Sequence, residues 1–213
     1  RERRQRQMCI RDRHYSVPEL TQTIGGNKIS NPGCYATAMQ LMLAPIKNRI
    51  DGEVNFFGIS GYSGAGATPN DRNDPDKLKN NIIPYSLNNH IHEREVSFHM
   101  QREINFMPHV ADFFRGILIT GNFSLMSQYS SQEIRNIFDD FYGEHSFIVI
   151  KDEFPSISEV INTPSAMIGG FNIDGSKNRL SFCCSIDNLL KGAASQAMQN
   201  LNNAMNFDEK LGL

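Results

Sequence analysis

The chain is poor in cysteine. Four occur among 213 residues, two of them adjacent at Cys183 and Cys184; this is no disulfide framework and points to a reducing compartment. Long apolar runs are missing too. The longest, Met39 to Ile46, is interrupted by Gln40 and falls short of the ~18 residues a membrane span needs. Neither sign of charge dominates: 21 basic against 23 acidic residues leave −2, so the whole chain makes no electrostatic case for a nucleic-acid partner. There is no internal repeat and no low-complexity tract. No G-x-G-x-x-G opens a helix after a strand with an acidic residue ~20 positions on, so no complete dinucleotide-binding half is present. No metal is expected either: Cys183-Cys184 is not C-x-x-C, and His90-Ile91-His92 finds no third ligand at zinc-like spacing. What remains, 39% hydrophobic and 21% charged, is a soluble globular composition able to bury roughly 70% of its unfolded surface without a staple.

Composition breaks at His14. Residues 1–13 carry six arginines and two acids, a net +4, whereas the other 200 residues hold 15 basic and 21 acidic groups, a net −6. A basic arm for RNA or anionic lipid is one reading. The preferred one is that 1–13 is not native: Met8-Cys9-Ile10-Arg11-Asp12-Arg13 resembles the translation of a sequencing adapter. Cys9 then carries no meaning, and the native protein is expected to extend upstream of residue 14.

Several elements are legible. Asn31-Pro32-Gly33 is a turn, and Cys34 to Ile46 follows it with good helix formers. Val54 to Ile59 is a strand running into the loop Gly61-Tyr62-Ser63-Gly64-Ala65-Gly66; residues 67–81 are a polar, exposed excursion. Strands are expected at Ile104–Met107, Gly116–Phe123, Phe147–Ile150, Ala166–Ile173 and Leu180–Ile186, with a helix from Ser131 to Phe141. Asp187 or Asn188 is expected to cap a last helix running to Met205. Strands outnumber helices and follow one another like hairpins, which predicts an α+β fold with a mixed, largely antiparallel sheet and helices on one face.

Cys34 is the sharpest local feature. At a helix N-terminus it faces free backbone N–H groups and the positive end of the dipole, which together predict a lowered thiol pKa and a nucleophile; the alternative is a small buried hydrophobe. A cysteine nucleophile needs a histidine, and His90 and His92 are candidates for its acid/base beside the reading of ordinary surface histidines. Arg115 reads either as a clamp for carboxylate or phosphate or as a structural ion pair. The glycine loop lets backbone amides approach an anion or a flat ring.

Together these segments resemble the N-acetyl-gamma-glutamyl-phosphate reductase family, relatives of aspartate-semialdehyde dehydrogenase. The matching pieces, in order, are Asn31-Pro32-Gly33-Cys34-Tyr35-Ala36-Thr37-Ala38, Gly58 through Gly66, His90-Ile91-His92-Glu93-Arg94-Glu95, Phe106-Met107-Pro108-His109 with Arg115-Gly116, and Ile186 through Ala194. Ser195 departs from the family's usual Gly or Thr. The resemblance implies a glyceraldehyde-3-phosphate dehydrogenase-like C-terminal domain whose N-terminal Rossmann domain, the NADP-binding one, is missing. Residues 14–33 would be the tail of that domain, 34–187 the catalytic and dimerisation domain, and 188–213 a helix packing on the absent domain. It implies NADPH-dependent reduction of N-acetylglutamyl phosphate to the semialdehyde through a thioester on Cys34, in arginine biosynthesis. His92 would be the acid/base; His90, Tyr85, His109 and Arg115 would contact the substrate; Ser63, Gly64 and Asn188 would meet NADP. A small-molecule substrate, a homo-oligomer (dimer or tetramer), and a cytoplasmic location, or the mitochondrial matrix for a fungal source, follow from the same resemblance, and the 213-residue chain is expected to be inactive alone. The rival readings are a Cys–His hydrolase or acyltransferase without a nicotinamide cofactor, and a non-enzymatic binding domain.

Overall fold

In β3 (Ile50–Gly61), Val54, Phe56, Gly58 and Ser60 are all buried, the period-2 signature of a strand with one face on a core. The computed structural model describes residues 13–213 apart from 23, 25–27 and 67; the adapter-like stretch up to residue 12, Cys9 and Gly25-Gly26 lie outside the described residues. Chain order runs through β1 (His14–Tyr15), β2 (Ile29–Ser30), α1 (Cys34–Leu43), β3, the one-turn α2 (Pro75–Leu78), β4 (Ile82–Pro84), α3 (Ile91–Met100), β5 (Asn105–Ala111), β6 (Ile117–Leu125), α4 (Ser131–Tyr142), β7 (Ile148–Lys151), the one-turn α5 (Ile157–Val160), β8 (Ala166–Asp174), β9 (Arg179–Ile186) and α6 (Ala194–Ala204). Strands β1 and β2 form a small parallel ribbon. The others form one sheet ordered β4-β5-β3-β6-β9-β8-β7. Only β3 with β5 and β7 with β8 are parallel; the other pairs are antiparallel. The expected mixed, largely antiparallel sheet is what forms.

Phe56, Ile117, Ile119, Phe123, Phe182, Cys184 and Ile186 from the sheet share one core with α1, with Val96 and Met100 of α3 and with Ile134 and Phe138 of α4. Helix α1 is buried at every position from Tyr35 to Leu43, as a helix apolar all round must be. The opposite sheet face, with Phe57 38% exposed, is left open.

Register brings the site together. Ser60 of β3 pairs with Ile117 of β6, and Ile117 with Ile186 of β9, so the loops after β3 and β9 emerge side by side. The start of α1 lies at the same end, because Gly192, after β9, packs on Cys34.

Beside the short β1, β2, β4, α2 and α5, which the sequence reading does not contain, two of the longer helices differ from it. Helix α3 was not anticipated: its N-cap is His90, whose Nδ1 accepts the His92 N–H at 3.2 Å, and two of its large apolar residues, Ile91 and Phe98, face outward. The last helix begins at Ala194, not at Asp187 or Asn188. Asp187 instead accepts the N–H groups of Leu189 and Leu190 at 2.9 and 3.3 Å, closing turns that precede the helix. Among the described residues no helix is long and apolar enough to cross a membrane, and no cluster of His, Cys, Asp and Glu could hold a metal ion.

Candidate active site

Cys34 is the first residue of α1, with Gly33 as N-cap. The backbone N–H groups of Cys34 and Tyr35 approach its sulfur, but burial outweighs them and pushes the thiol up to about 11, with Glu95 adding to the rise. The expectation of a lowered pKa is therefore overturned. Among the described residues no cation offsets the lost hydration, and the helix terminus alone does not suffice. Gly192 covers the residue: a Cβ there would lie 2.6 Å from the Cys34 Cβ and 2.8 Å from the Asn188 carbonyl.

His92 projects from the first turn of α3 onto the same spot. A Cβ on Gly33 would overlap its Nε2, so only glycine lets the imidazole reach the residue before Cys34. Burial, and the neighbouring His90, hold its pKa down to about 4. At neutral pH it is an uncharged imidazole beside an uncharged thiol. His90 has a different place. Its Nδ1 is spent on the N-cap bond, which leaves the proton on Nε2, and its ring meets Tyr85 edge-on at 5.5 Å. Burial lowers its pKa as well. Tyr85 is pushed up to about 12 by burial, with Cys34 contributing.

Ser63, Gly64 and Asn188 also converge. The glycine loop is pinned by Tyr62 N–H and Ser63 N–H donating to the Phe113 and Phe114 carbonyls, each at 2.9 Å. Asn188 is buried; its Nδ2 donates to Ser63 Oγ at 3.0 Å and its Oδ1 accepts the Gly116 N–H at 2.7 Å. Gly64, exposed and without a side chain, makes a low ledge: a Cβ there would lie 2.7 Å from Ser60 Oγ and 3.6 Å from Asn188 Nδ2. A flat ring can lie against such a ledge.

Two expected substrate contacts are placed elsewhere. His109 sits one residue out of phase with buried Pro108 and Val110. Its ring therefore stands on the open face, 4.4 Å from that of Phe57, and only its backbone carbonyl faces the site, accepting the Tyr35 hydroxyl at 2.7 Å. Arg115 spends its fork on structure: Nε lies 3.0 Å from Asp187 Oδ2, Nη2 donates to Asp187 Oδ1 at 3.1 Å and Nη1 to Asn162 Oδ1 at 2.6 Å. Arg115 is thus held in an ion pair with the buried Asp187.

Three participants carried no sequence assignment. Arg72, in the polar excursion, places its guanidinium 4.8 Å from the Tyr85 ring centre and lowers the pKa values of Tyr85 and His90, so it is a cation at the mouth of the site. Gly192 matters by its small size. Glu95 lies one turn after His92; the i, i+3 spacing on a helix was the signal for it, invisible while α3 itself went unread.

Residues 34–188 match the family model described as semialdehyde dehydrogenase, dimerisation domain. An N-acetyl-gamma-glutamyl-phosphate reductase of Xanthomonas axonopodis pv. citri is 46% identical over 94% of this chain, which spans 64% of that protein. A Neurospora crassa protein named "Protein arg-6, mitochondrial" is 46% identical over 93% of the chain, which spans 23% of it. In fold, the chain is similar to aspartate semialdehyde dehydrogenase II of Vibrio cholerae, solved in complex with ASA. The TM-score is 0.73 at 18% identity, covering 92% of this chain and 69% of that one.

Proposed function

With residues 34–188 the chain belongs to the semialdehyde dehydrogenase dimerisation-domain family, and from that membership we propose that it is the catalytic portion of an N-acetyl-gamma-glutamyl-phosphate reductase acting in arginine biosynthesis. The observation that carries the reading is the meeting of Cys34 at the start of α1, His92 against Gly33, and Asn188 and Gly192 from the loop after β9. Three remote segments supply a nucleophile, a proton acceptor and a small residue packed on the cysteine.

The chemistry follows from the resting state. Cys34 is a thiol and His92 a neutral imidazole, so no thiolate–imidazolium pair waits for substrate. Cys34 Sγ attacks the acyl phosphate carbonyl as His92 takes the thiol proton. The carbon–oxygen bond to phosphate breaks and phosphate leaves, giving a thioester. The N–H groups at the start of α1 face the oxygen that becomes negative. Arg72, Tyr85 and His90 line the mouth, and Arg72 offers its charge to the substrate's anionic groups. We assign the acid/base to His92 rather than His90, whose Nδ1 is committed to capping α3. Ser63, Gly64 and Asn188 would hold a nicotinamide cofactor, NADPH in this reading. When bound, it would supply the hydride that reduces the thioester carbonyl to the semialdehyde, while the proton His92 took from Cys34 returns to the leaving sulfur.

The chain spans 64% of the Xanthomonas relative, and α6 with its C-cap residue exposes Met198, Leu201 and Met205, an i, i+3, i+7 stripe uncovered among the described residues. That stripe is the face we assign to an upstream nucleotide-binding domain; the open face of the sheet is assigned to a second copy of the chain. The location is cytoplasmic for a bacterial source and the mitochondrial matrix for a fungal one.

The test is direct. Mixed with N-acetylglutamyl phosphate and NADPH, the 213-residue chain should release one burst of phosphate and sustain no NADPH oxidation, while the complete reading frame should sustain it. Cys34→Ser should abolish both signals, and His92→Asn should cost roughly 10²–10⁴ in rate. Many turnovers of phosphate release without cofactor would make the protein a hydrolase instead.

A further inference from the structure

We propose that Glu95 is a positioning residue for the Cys34–His92 pair, its carboxylate tying the backbone just before Cys34 to the helix that carries His92. The proposal rests on the site reading above. Glu95 Oε1 accepts the Gly33 N–H at 3.0 Å and the Tyr15 hydroxyl at 2.9 Å. Tyr15 is itself fixed from both sides: Gln40 of α1 donates to its hydroxyl at 2.7 Å, and its ring stacks on His99 of α3 at 3.4 Å. The four groups thus bolt α1 to α3 beside the cysteine.

His92 and Glu95 are three residues apart on α3 and share a face. One reaches Gly33 with its imidazole, the other with its carboxylate. The Gly33 N–H precedes α1 and has no partner within the helix, so its bond must come from outside. Glu95 supplies it and in the same contact sets the distance between the two helices where nucleophile and base meet. A misplacement of about 1 Å at such a point can cost ~10²-fold in rate. Burial raises the Glu95 pKa, against the two bonds that lower it, as befits a carboxylate held inside by what it holds.

Two substitutions separate geometry from charge. Glu95→Gln keeps an oxygen acceptor and removes the charge; Glu95→Ala removes both. The groups that act on Cys34 electrostatically are Tyr35 on α1, Glu95 on α3 and Tyr85 beyond β4, with the His92 ring of α3 against Gly33, the residue before it. Losing the Glu95 charge should therefore lower the pH midpoint of Cys34 alkylation by iodoacetamide in both variants. The decisive readouts then diverge. In the complete reading frame, single-turnover phosphate release should fall less than about tenfold in Glu95→Gln and about 10²-fold in Glu95→Ala, with KM little changed. In the 213-residue chain, His92→Asn should alter Cys34 alkylation in the wild-type and Glu95→Gln backgrounds but not in Glu95→Ala. Circular dichroism checks that each variant is folded. Tyr15→Phe, which removes one of the two donors, should lie between wild type and Ala. Wild-type behaviour of Glu95→Ala, or equal losses in Gln and Ala, overturns the proposal. If the wild type releases no phosphate, the reductase reading fails by itself and the alkylation cycle still decides Glu95.

Discussion

Cys34 is held up to about 11 because burial beneath Gly192 outweighs the backbone N–H groups aimed at its sulfur. Only the thiolate reacts with an alkylating agent, so the rate at Cys34 should climb about tenfold per pH unit from neutral to about pH 10, with no plateau on the way. It should still lead the three described cysteines: it is half-buried, whereas Cys183 and Cys184 are buried in β9, where lost hydration pushes both thiols up. Rate-versus-pH alkylation of the three single-cysteine variants checks this, and a plateau near neutrality at Cys34 would contradict it. What the sequence disclosed at this scale was identity more than state. Cys34 at a helix start was legible from Asn31-Pro32-Gly33, but Gly192, which buries it, is 158 positions away, and no local pattern reports that meeting. The direction of the His109 ring was hidden for a similar reason: its motif is local, and the phase that turns its ring to the open face belongs to the whole strand.

Helix α6 shows what an element does with an imperfect residue. Ser195 is buried near its first turn and its Oγ has no partner among the described residues. A buried unpaired hydroxyl costs about 1–3 kcal/mol, and alanine is the better helix former. Ser195→Ala should therefore raise stability by about 1 kcal/mol, read as a shift in denaturant midpoint at constant slope. Elements with strong periodicity, such as β6, β8, β9 and α4, were legible almost to their ends, whereas β3 (Ile50–Gly61) was read only over its middle, 54–59. Helix α4 even shows its capping box, with Ser130 and Glu133 bonded reciprocally. Helix α3 was not legible, because a histidine replaces the usual Ser, Thr, Asp or Asn at its N-cap and Ile91 and Phe98 spoil its amphipathic stripe. The start of α6 was misplaced because Asp187 caps a turn with the same side-chain chemistry that caps a helix.

Across the whole molecule, a buried polar seam joins the beginning of the described chain to its end. Lys191 and Glu19, both without exposed side chain, form an ion pair, and Gln199 bonds each at 2.9 Å. Burial alone would raise the Glu19 carboxyl, but Lys191 and Gln199 together carry it below its ordinary value. Glu19→Ala strands the Lys191 charge and should cost about 3–5 kcal/mol, whereas Glu19→Leu with Lys191→Met should be close to neutral; chemical denaturation separates the two. The sign with pH is fixed as well. His92 titrates lower folded than unfolded, so the stability it contributes is complete above about 6.5 and lost as pH falls toward 4. Glu19 is also lowered, so its share is lost below about 4.5, and unfolding curves measured from pH 7 to 3 should weaken through both windows. The seam continues with Ser16 donating to Asn200 at 2.6 Å, Asn200 donating to Asn31 at 2.7 Å, and Thr37 bonded to Gln196. These partners lie about 160–180 positions apart, and at ribosomal rates of roughly 5–20 residues per second their synthesis is separated by on the order of tens of seconds. A nascent chain carries Cys34 uncovered until Lys191 and Gly192 have left the ribosome, so the thiol stands open to oxidants over that interval and is shielded only when those distant residues arrive.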